Sequence, residues 1–340
     1  MATIRYAAGS EVAQYDLGPG ETVLDCLLRN QIPVSYSCRS GVCQSCMVKG
    51  SGGAIPERAQ AGLKDTLRAQ GYFLACRCEP LGDLTVSQGA DLRVAARITR
   101  IEELGSNVLR VGLVTDAPFE YRAGQYITLF RPDGLARSYS LASVPTENET
   151  GELELHVRLI PGGAMSEWLS REAHPGASVA IQGPSGNCFY LPGQPDEPLL
   201  LAGTGTGLAP LYGIARDALR HGHRGPVLLF HGALDPGGLY LQQELLGMDA
   251  LHPNFTYVRS VLRSPEQKGG GLEVGPLDAC VLAHLPKLDG WKAYLCGDPA
   301  IVNLLRKKIF LAGAASRSIY ADAFLPSAPA PALPVASVGA

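Results

Sequence analysis

Cys38-Arg-Ser-Gly-Val-Cys43-Gln-Ser-Cys46 is the stretch on which the fold of this chain turns. Its three thiols stand in a CxxxxCxxC pattern, and two more follow downstream in Leu74-Ala-Cys76-Arg-Cys78. Three closely spaced thiolates completed by one from far along the chain are the ligand pattern of a [2Fe–2S] cluster. Ser40, Gly41 and Ser45 are small, so the backbone between the ligands can curl tightly and aim N–H groups at sulfur, which stabilises a reduced cluster. Spacing alone leaves Cys76 and Cys78 both open as the fourth ligand. The competing metal reading is a tetrahedral zinc site from Cys43, Cys46, Cys76 and Cys78. The Cys-Arg-Cys pair is tighter than a second zinc pair usually is, and zinc would leave Cys38 unused. A disulfide framework fits poorly, because nine cysteines in 340 residues are sparse, odd in number and clustered.

The rest of the composition suits a multi-domain enzyme. A chain of 340 residues has room for two or three domains, each with its own core. The net charge of −3 offers no basic footprint for nucleic acid. No stretch approaches the roughly 18 uninterrupted apolar residues of a membrane span. The opening MATIRYAAGSEVAQY has neither the charged n-region nor the apolar h-region of a signal peptide. Free thiols destined for a cluster point to a reducing cytoplasm. The 40 glycines and 25 prolines suit many turns between short strands.

Punctuation of the chain gives three segments and a tail. Residues 1–91 alternate strand-like runs (3–6 and 84–86) with a helix over Thr22–Asn30 and the cysteine loop, which reads as a small ferredoxin-like β-grasp domain. Residues 92–195 carry strand signals at 93–98, 108–114, 125–130, 154–160 and 178–182, separated by Gly, Pro and Asp clusters, the pattern of an antiparallel barrel or sandwich. Residues 196–326 change to continuous apolar strands at 199–202, 227–230 and 293–296 with helices between them, one of them after Ala209. That is the pattern of a doubly wound parallel sheet buried on both faces. The Ala/Pro-rich stretch at 327–340 is expected to be disordered.

Motifs that carry chemistry lie in the second and third segments. Arg137-Ser-Tyr139-Ser140 follows a turn and offers an Arg for a pyrophosphate, a Tyr that can stack on a flavin ring and a Ser that can hydrogen-bond its redox nitrogen. His156-Val-Arg leads through Gly162 and Gly163 into a helix predicted to begin near Ser166, whose free N–H groups and positive dipole end can hold phosphate oxygens. In the third segment Leu-Leu-Leu-Ala runs into Gly203-Thr204-Gly205-Thr206-Gly207, a strand-to-helix turn that lets backbone amides approach a pyrophosphate. The glycines do not follow the Rossmann spacing. Cys296-Gly297-Asp298-Pro299 ends a later strand and supplies the other half of the same face. Cys296 reads either as a buried strand thiol or as a residue lining the nicotinamide pocket. Asp235, after the strand at 227–230, would repel a 2′-phosphate and favours NADH, whereas Ser260 and Arg263 after the next strand could accept NADPH.

Taken in order, RSYS, GTGTGLAP and CGDP resemble the ferredoxin–NADP⁺ reductase superfamily, a flavin-binding antiparallel barrel followed by a nicotinamide-nucleotide domain. With the plant-type cysteine loop in front, the chain is similar to reductase components of multicomponent bacterial oxygenases. HVRLIPGG, GWKAYLCGDPA and IYADAFLP look most like the reductases of naphthalene-type aromatic-ring dioxygenases. The resemblance implies the metal ligands Cys38, Cys43, Cys46 and Cys76, since the family's fourth ligand directly follows Leu-Ala. It also implies FAD held by Arg137, Tyr139, Ser140, His156, Gly162, Gly163, Met165 and Ser166, with Ser140 near flavin N5. Gly203 to Gly207 and Cys296 to Pro299 would hold the nicotinamide nucleotide, and Phe324 would stand against the flavin ring, with Ser140, Cys296 and Phe324 closest to the reaction. Electrons would pass from NADH, with NADPH possible, through FAD and the cluster to a Rieske ferredoxin or directly to a terminal oxygenase, in a monomeric enzyme. The same domain order serves CDP-sugar deoxygenating systems. A redox sensor or carrier would need the cluster but neither RSYS nor the glycine loops.

Overall fold

The computed structural model describes residues 2–8, 11–63, 65–88, 93–105, 107–145, 151–264 and 271–325. The tail expected over 327–340 lies outside them. The described residues fall into two compact units, one within Met1–Asp91 and one within Leu92–Leu325.

The first unit is built on strands β1 (Thr3–Ala8), β2 (Glu11–Asp16), β3 (Met47–Ser51), β4 (Tyr72–Leu74) and β5 (Leu84–Gln88), with helices α1 (Val23–Arg29) and α2 (Asp65–Ala69). They form one mixed sheet in the order β2-β1-β5-β3-β4, with β1 and β5 parallel and the other neighbours antiparallel. Helix α1 begins at a capping box: the Thr22 side chain accepts from the Asp25 N–H while the Asp25 carboxylate accepts from the Thr22 N–H. Its Val23, Leu24, Cys26 and Leu27 are buried, as are Ile4, Phe73, Leu84 and Val86 of the sheet. This is the β-grasp arrangement expected from the sequence.

The second unit starts with an all-antiparallel sheet of β6 (Val94–Gly105), β7 (Val108–Thr115), β8 (Tyr126–Phe130), β9 (Ala136–Ser140), β10 (Leu153–Arg158) and β11 (Ser178–Ser185), with helix α3 (Ala164–Arg171) between the last two. Its order is β10-β7-β6-β11-β8-β9, and a bridge between Leu141 and Leu155 joins the exit of β9 to β10. The edges therefore meet and the sheet closes as a barrel, which removes the liability of free edge strands. Alternate residues point inward, and Ile98, Val111, Leu113, Ile127, Leu129, Leu155 and Ile181 make one apolar core with Met165 and Leu169 of α3.

Beyond it lies an all-parallel sheet of β12 (Leu199–Thr204), β13 (Val227–Ala233), β14 (Phe255–Val261), β15 (Leu272–Val274), β16 (Lys292–Gly297) and β17 (Ile319–Ala323). Helices α4 (Leu208–Arg220), α5 (Gln242–Leu251), α6 (Leu277–His284) and α7 (Pro299–Leu311) connect the strands. The order β15-β14-β13-β12-β16-β17 reverses direction between β12 and β16, so a crevice opens at their carboxyl ends. Leu199 and Leu201 pack with Leu229, Tyr257 and Cys296 on one face, Leu200 and Ala202 with Phe230, Val258 and Leu295 on the other. Both faces are buried, which is why these strands read as continuous apolar runs rather than alternating ones.

Candidate functional site

The cysteine loop folds back on itself through positive φ at Arg39 (54°), Gly41 (86°) and Gln44 (57°). At Arg39 and Gln44 this left-handed geometry is uncommon for a side-chain-bearing residue. It aims N–H groups at sulfur. The Ser40 and Cys43 amides each lie 3.4 Å from Cys38 Sγ, the Cys38 amide lies 3.4 Å from Cys43 Sγ, and Ser45 Oγ stands 3.0 Å from Cys43 Sγ. The thiols stand as two pairs. The Cys43 thiol donates to Cys38, holding Cys38 well below the usual thiol range and pushing Cys43 up; Cys46 donates to Cys76 with the same division. Among the described residues no three His, Cys, Asp or Glu side chains converge as ligands of one ion. Two thiol pairs with N–H donors on their sulfurs fit a two-iron cluster held by Cys38, Cys43, Cys46 and Cys76, whereas the zinc set would take Cys78 in place of Cys38. Cys78 stands apart: it is fully buried, burial pushes its pKa up to about 12, and its carbonyl accepts from the Val23 N–H at 2.7 Å, tying α1 down.

At the barrel, β9 ends on Ser140, which is buried opposite Tyr126 of β8. Arg137 is half-buried; its Nη1 donates to the Ala136 carbonyl at 2.7 Å, and among the described residues it pairs with no carboxylate. Burial raises the Tyr139 hydroxyl pKa, so the ring is neutral at any working pH. Gly162 (φ 71°) and Gly163 lead into α3, which has Gly163 as its N-cap and no side chain capping its first turn. Ser166 binds backwards, accepting from the Ile160 N–H at 3.2 Å and donating to the Gly163 carbonyl at 3.1 Å, and so shapes the turn itself. The Met165 side chain lies in the barrel core. An unpaired guanidinium and an uncapped helix start fit a flavin diphosphate. Two neighbours were not apparent from the sequence. Glu167 accepts from the Gly162 N–H at 2.8 Å, and Arg131 reaches from the β8–β9 turn to the Ala164 carbonyl at 3.4 Å.

His156 does not face an open site. Its Nε2 lies 2.9 Å from the Glu154 carboxylate and its Nδ1 3.1 Å from the Tyr240 hydroxyl, so both ring nitrogens are taken. Burial lowers the His156 pKa against the pull of Glu154, leaving a neutral ring. The carboxylate can only accept, so Nε2 carries the proton and Nδ1 accepts from Tyr240.

At the switch point the two loops are pressed together. A Cβ on Gly207 would stand 2.3 Å from the Cys296 carbonyl oxygen, one on Gly203 2.8 Å from the same atom, and one on Gly297 (φ 119°) 2.7 Å from the Thr204 carbonyl oxygen. These glycines permit loop-to-loop contact. Gly205 (φ 54°) differs: its α-carbon faces open space, with Arg158 Nη1 3.7 Å from where its Cβ would stand. A backbone turn with an exposed guanidinium beside it fits a pyrophosphate. The Thr204 hydroxyl accepts from the Asp298 N–H at 3.2 Å. The Asp298 carboxylate itself caps α7, accepting from Ala300 and Ile301 N–H at 2.9 and 3.2 Å, with Pro299 at the first helical position. Cys296 is 1 % exposed, and the neighbouring Cys188 thiol and burial push its pKa well up. The Phe324 amide donates to the Gly297 carbonyl at 2.8 Å, holding that aromatic residue half-buried beside the second loop. Asp322 pairs in register with Cys296, and burial pushes its pKa up to about 6. Ser260 is fully buried, while Arg263 is exposed and its N–H donates to the Leu234 carbonyl at 2.9 Å, beside Asp235.

A barrel with an anion-ready helix start, a parallel sheet with a glycine turn at its switch point and a three-thiol loop met by a fourth thiol from after β4 define an iron–sulfur flavoprotein of the ferredoxin–NAD(P)⁺ reductase class. The sequence matches family models for a 2Fe-2S iron-sulfur cluster binding domain over residues 9–81, an oxidoreductase FAD-binding domain over 95–190 and an oxidoreductase NAD-binding domain over 201–307. The chain is 35% identical over 91% of its length, and 94% of the relative's, to the ferredoxin–NAD(P)(+) reductase component of the naphthalene 1,2-dioxygenase/salicylate 5-hydroxylase systems of a Ralstonia species. It is 36% identical to the reductase subunit of an aromatic O-demethylase from an Amycolatopsis strain, covering 92% of this chain and 96% of that one. In structure it resembles a cytochrome P450 reductase of Amycolatopsis with a TM-score of 0.67 at 31% identity, covering 95% of this chain and 99% of that one. The chain belongs to the family of reductase components that carry a [2Fe–2S] domain, an FAD-binding domain and an NAD-binding domain in one polypeptide.

Proposed function

We propose that this reductase takes electrons from NADH in preference to NADPH and delivers them singly to a Rieske ferredoxin, or directly to a terminal oxygenase that acts on an aromatic ring. When bound, FAD supplies the change from a two-electron donor to one-electron carriers, and the cluster supplies single-electron transfer. Cys38, Cys43, Cys46 and Cys76 hold the cluster, and the Ser40 and Cys43 amides with the Ser45 hydroxyl stabilise its extra negative charge. Arg137 and the first amides of α3 hold the flavin diphosphate, with Gly162 and Gly163 letting the backbone approach it. Ser140 orients the flavin ring, Tyr139 excludes water from it, and Phe324 covers it. The Gly203–Gly207 turn and Arg158 hold the nicotinamide pyrophosphate. His156, Met165, Ser166, Asp298 and Cys296 act by shaping these loops rather than by touching phosphate.

The observation that carries this reading is the meeting of barrel and parallel sheet at one place. The exit of β9 bridges to β10, and β10 touches the glycine turn after β12. Asp235 disfavours a 2′-phosphate, and the buried Ser260 hydroxyl offers it nothing. Nine free cysteines suit a reducing cytoplasm, and a monomer is the simplest assembly for a chain with three cofactor domains. No helix among the described residues is long and apolar enough to cross a membrane. The test is reconstitution with a Rieske ferredoxin. NADH-dependent reduction of that acceptor, lost in Cys76→Ser, supports the reading. Equal kcat/KM with NADPH, or a Cys76→Ser chain as active as the wild type, counts against it.

A further inference from the structure

Between the two cofactor loops runs a file of buried rings. His156 of β10, Tyr240 after β13 and His231 within β13 are 3 %, 2 % and 0 % exposed. Tyr240 stands edge-on to both histidines, with ring centroids 5.4 Å from His156 and 5.5 Å from His231. Its hydroxyl bonds His156 Nδ1 at 3.1 Å. At one end of the file, His156 neighbours Leu155, which bridges to Leu141 next to Ser140. At the other end, His231 lies opposite Gly203 in the β12–β13 register. The barrel end is anchored further: Glu154, held by His156 Nε2, also accepts from Arg100 at 2.9 Å and forms an ion pair with Arg110 at 3.3 Å. Arg110 in turn lies 3.9 Å from Glu244 of α5.

Resting on the reading of these loops as flavin and nicotinamide sites, we propose that Tyr240 is a positioning residue: through His156 and His231 it fixes the β9–β10 edge of the barrel against the Gly203 turn, and so sets how the two rings face each other. Three features argue for it. Tyr240 hydrogen-bonds from the parallel-sheet half into β10, the barrel strand that bridges to the residue after Ser140, while Arg216 of α4 donates to the Ala142 carbonyl at 3.4 Å on the other side of that bridge. Its bond is made in a dry site, where a polar contact is directional and its loss costs most. Its partner His156 is held as a single tautomer by Glu154, so the Tyr240 hydroxyl has one fixed direction to satisfy. A displacement of about 1 Å between reacting groups lowers a rate by roughly a hundredfold, so a spacer of this kind governs rate without touching either cofactor.

The experiment compares the FAD-loaded, cluster-loaded full chain with Tyr240→Phe, His156→Gln and the double variant, with anaerobic rapid mixing against NADH. A second readout needs no turnover: the visible circular dichroism of bound flavin on adding NAD⁺, which senses how the nicotinamide faces the ring. The proposal expects each single variant to keep its FAD content and NADH affinity within about twofold. Each should slow flavin reduction at least tenfold and alter the NAD⁺-induced dichroism, and the double variant should be no slower than the worse single one, because both break the same Tyr240–His156 bond. Wild-type reduction rates with an unchanged dichroic change, accompanied only by a lower melting temperature, would overturn the proposal. Multiplying losses in the double variant would overturn it too. A wild-type chain that NADH cannot reduce would overturn the site reading and this inference together, so the two failures are told apart by the wild-type arm.

Discussion

Replacing Gly207 by Ala separates a steric role of the glycine turn from a phosphate-binding one. Gly207 has φ −59° and ψ −16°, ordinary right-handed values, so alanine costs nothing in backbone conformation. Its Cβ would stand 2.3 Å from the Cys296 carbonyl oxygen, 2.6 Å from the Cys296 carbonyl carbon and 2.8 Å from Gly297 Cα. All three are backbone atoms, so no side chain can swing aside. Reaching even the 3.0 Å lower limit of real Cβ contacts needs 3.0 − 2.3 = 0.7 Å of separation between the loops after β12 and β16. Overpacking of this kind costs about 1–3 kcal/mol, and a shift approaching 1 Å at a reacting pair costs roughly a hundredfold in rate. Gly207→Ala should therefore fold with a lowered melting temperature, bind FAD as the wild type does, and slow anaerobic flavin reduction by NADH by one to two orders of magnitude. Gly205→Ala makes the contrast, since its Cβ would enter open space and its penalty comes from φ 54° alone. A Gly207→Ala chain that melts and reduces as the wild type does would refute the steric argument.

Further outcomes follow from the same geometry. Cys76→Ser should lose the visible absorbance and EPR signal of the cluster, while Cys78→Ser should keep both and lose stability, because Cys78 packs against α1 without joining a thiol pair; the reverse result would reassign the fourth ligand. Asp298→Ala should lower stability by about 1 kcal/mol through loss of the α7 cap, with NADH affinity changed little; a large loss of affinity at unchanged melting temperature would make Asp298 a ligand. Asp322 titrates at about 6 in the folded chain against 3.8 for an unperturbed group. A raised pKa gives a contribution to stability that is complete below about pH 4 and lost as pH rises through 6. The difference of about 2 pH units corresponds to about 3 kcal/mol. Asp322→Asn should flatten the fall in stability between pH 4 and 7 by that order, measured by thermal melting, and an unchanged fall would show that Asp322 is not held neutral.

The order of the three domains is legible because each announces itself locally. A cysteine loop, turn-punctuated strands and continuous apolar strands are patterns within a few residues of each other. The helix expected over Thr22–Asn30 is α1, Val23–Arg29, and the structure adds the capping box at Thr22 and Asp25 that starts it. The choice of Cys76 over Cys78 is different, since it depends on which thiol meets Cys46 across the β3–β4 pairing, where the Ala75 N–H bonds the Cys46 carbonyl at 3.0 Å. The glycines of 203–207 were visible as a turn, but the reason for two of them lies some ninety residues on, in Cys296 and Gly297. Asp298 carried its own signal: an Asp directly before Pro at a helix start reads as a cap. His156 did not, because its partner Tyr240 follows 84 positions later, in the connection between β13 and α5. Short α2 has neither length nor strong periodicity to reveal it.

The most direct test of the central claim is an anaerobic NADH titration of the purified full chain, following flavin absorbance together with the EPR signal of a reduced [2Fe–2S] centre. Bleaching of the flavin followed by a cluster signal is the predicted result, with both cofactors reduced by the same donor. A cluster signal that dithionite produces and NADH does not would contradict the assignment of the barrel and the switch-point loops as a flavin and nicotinamide site.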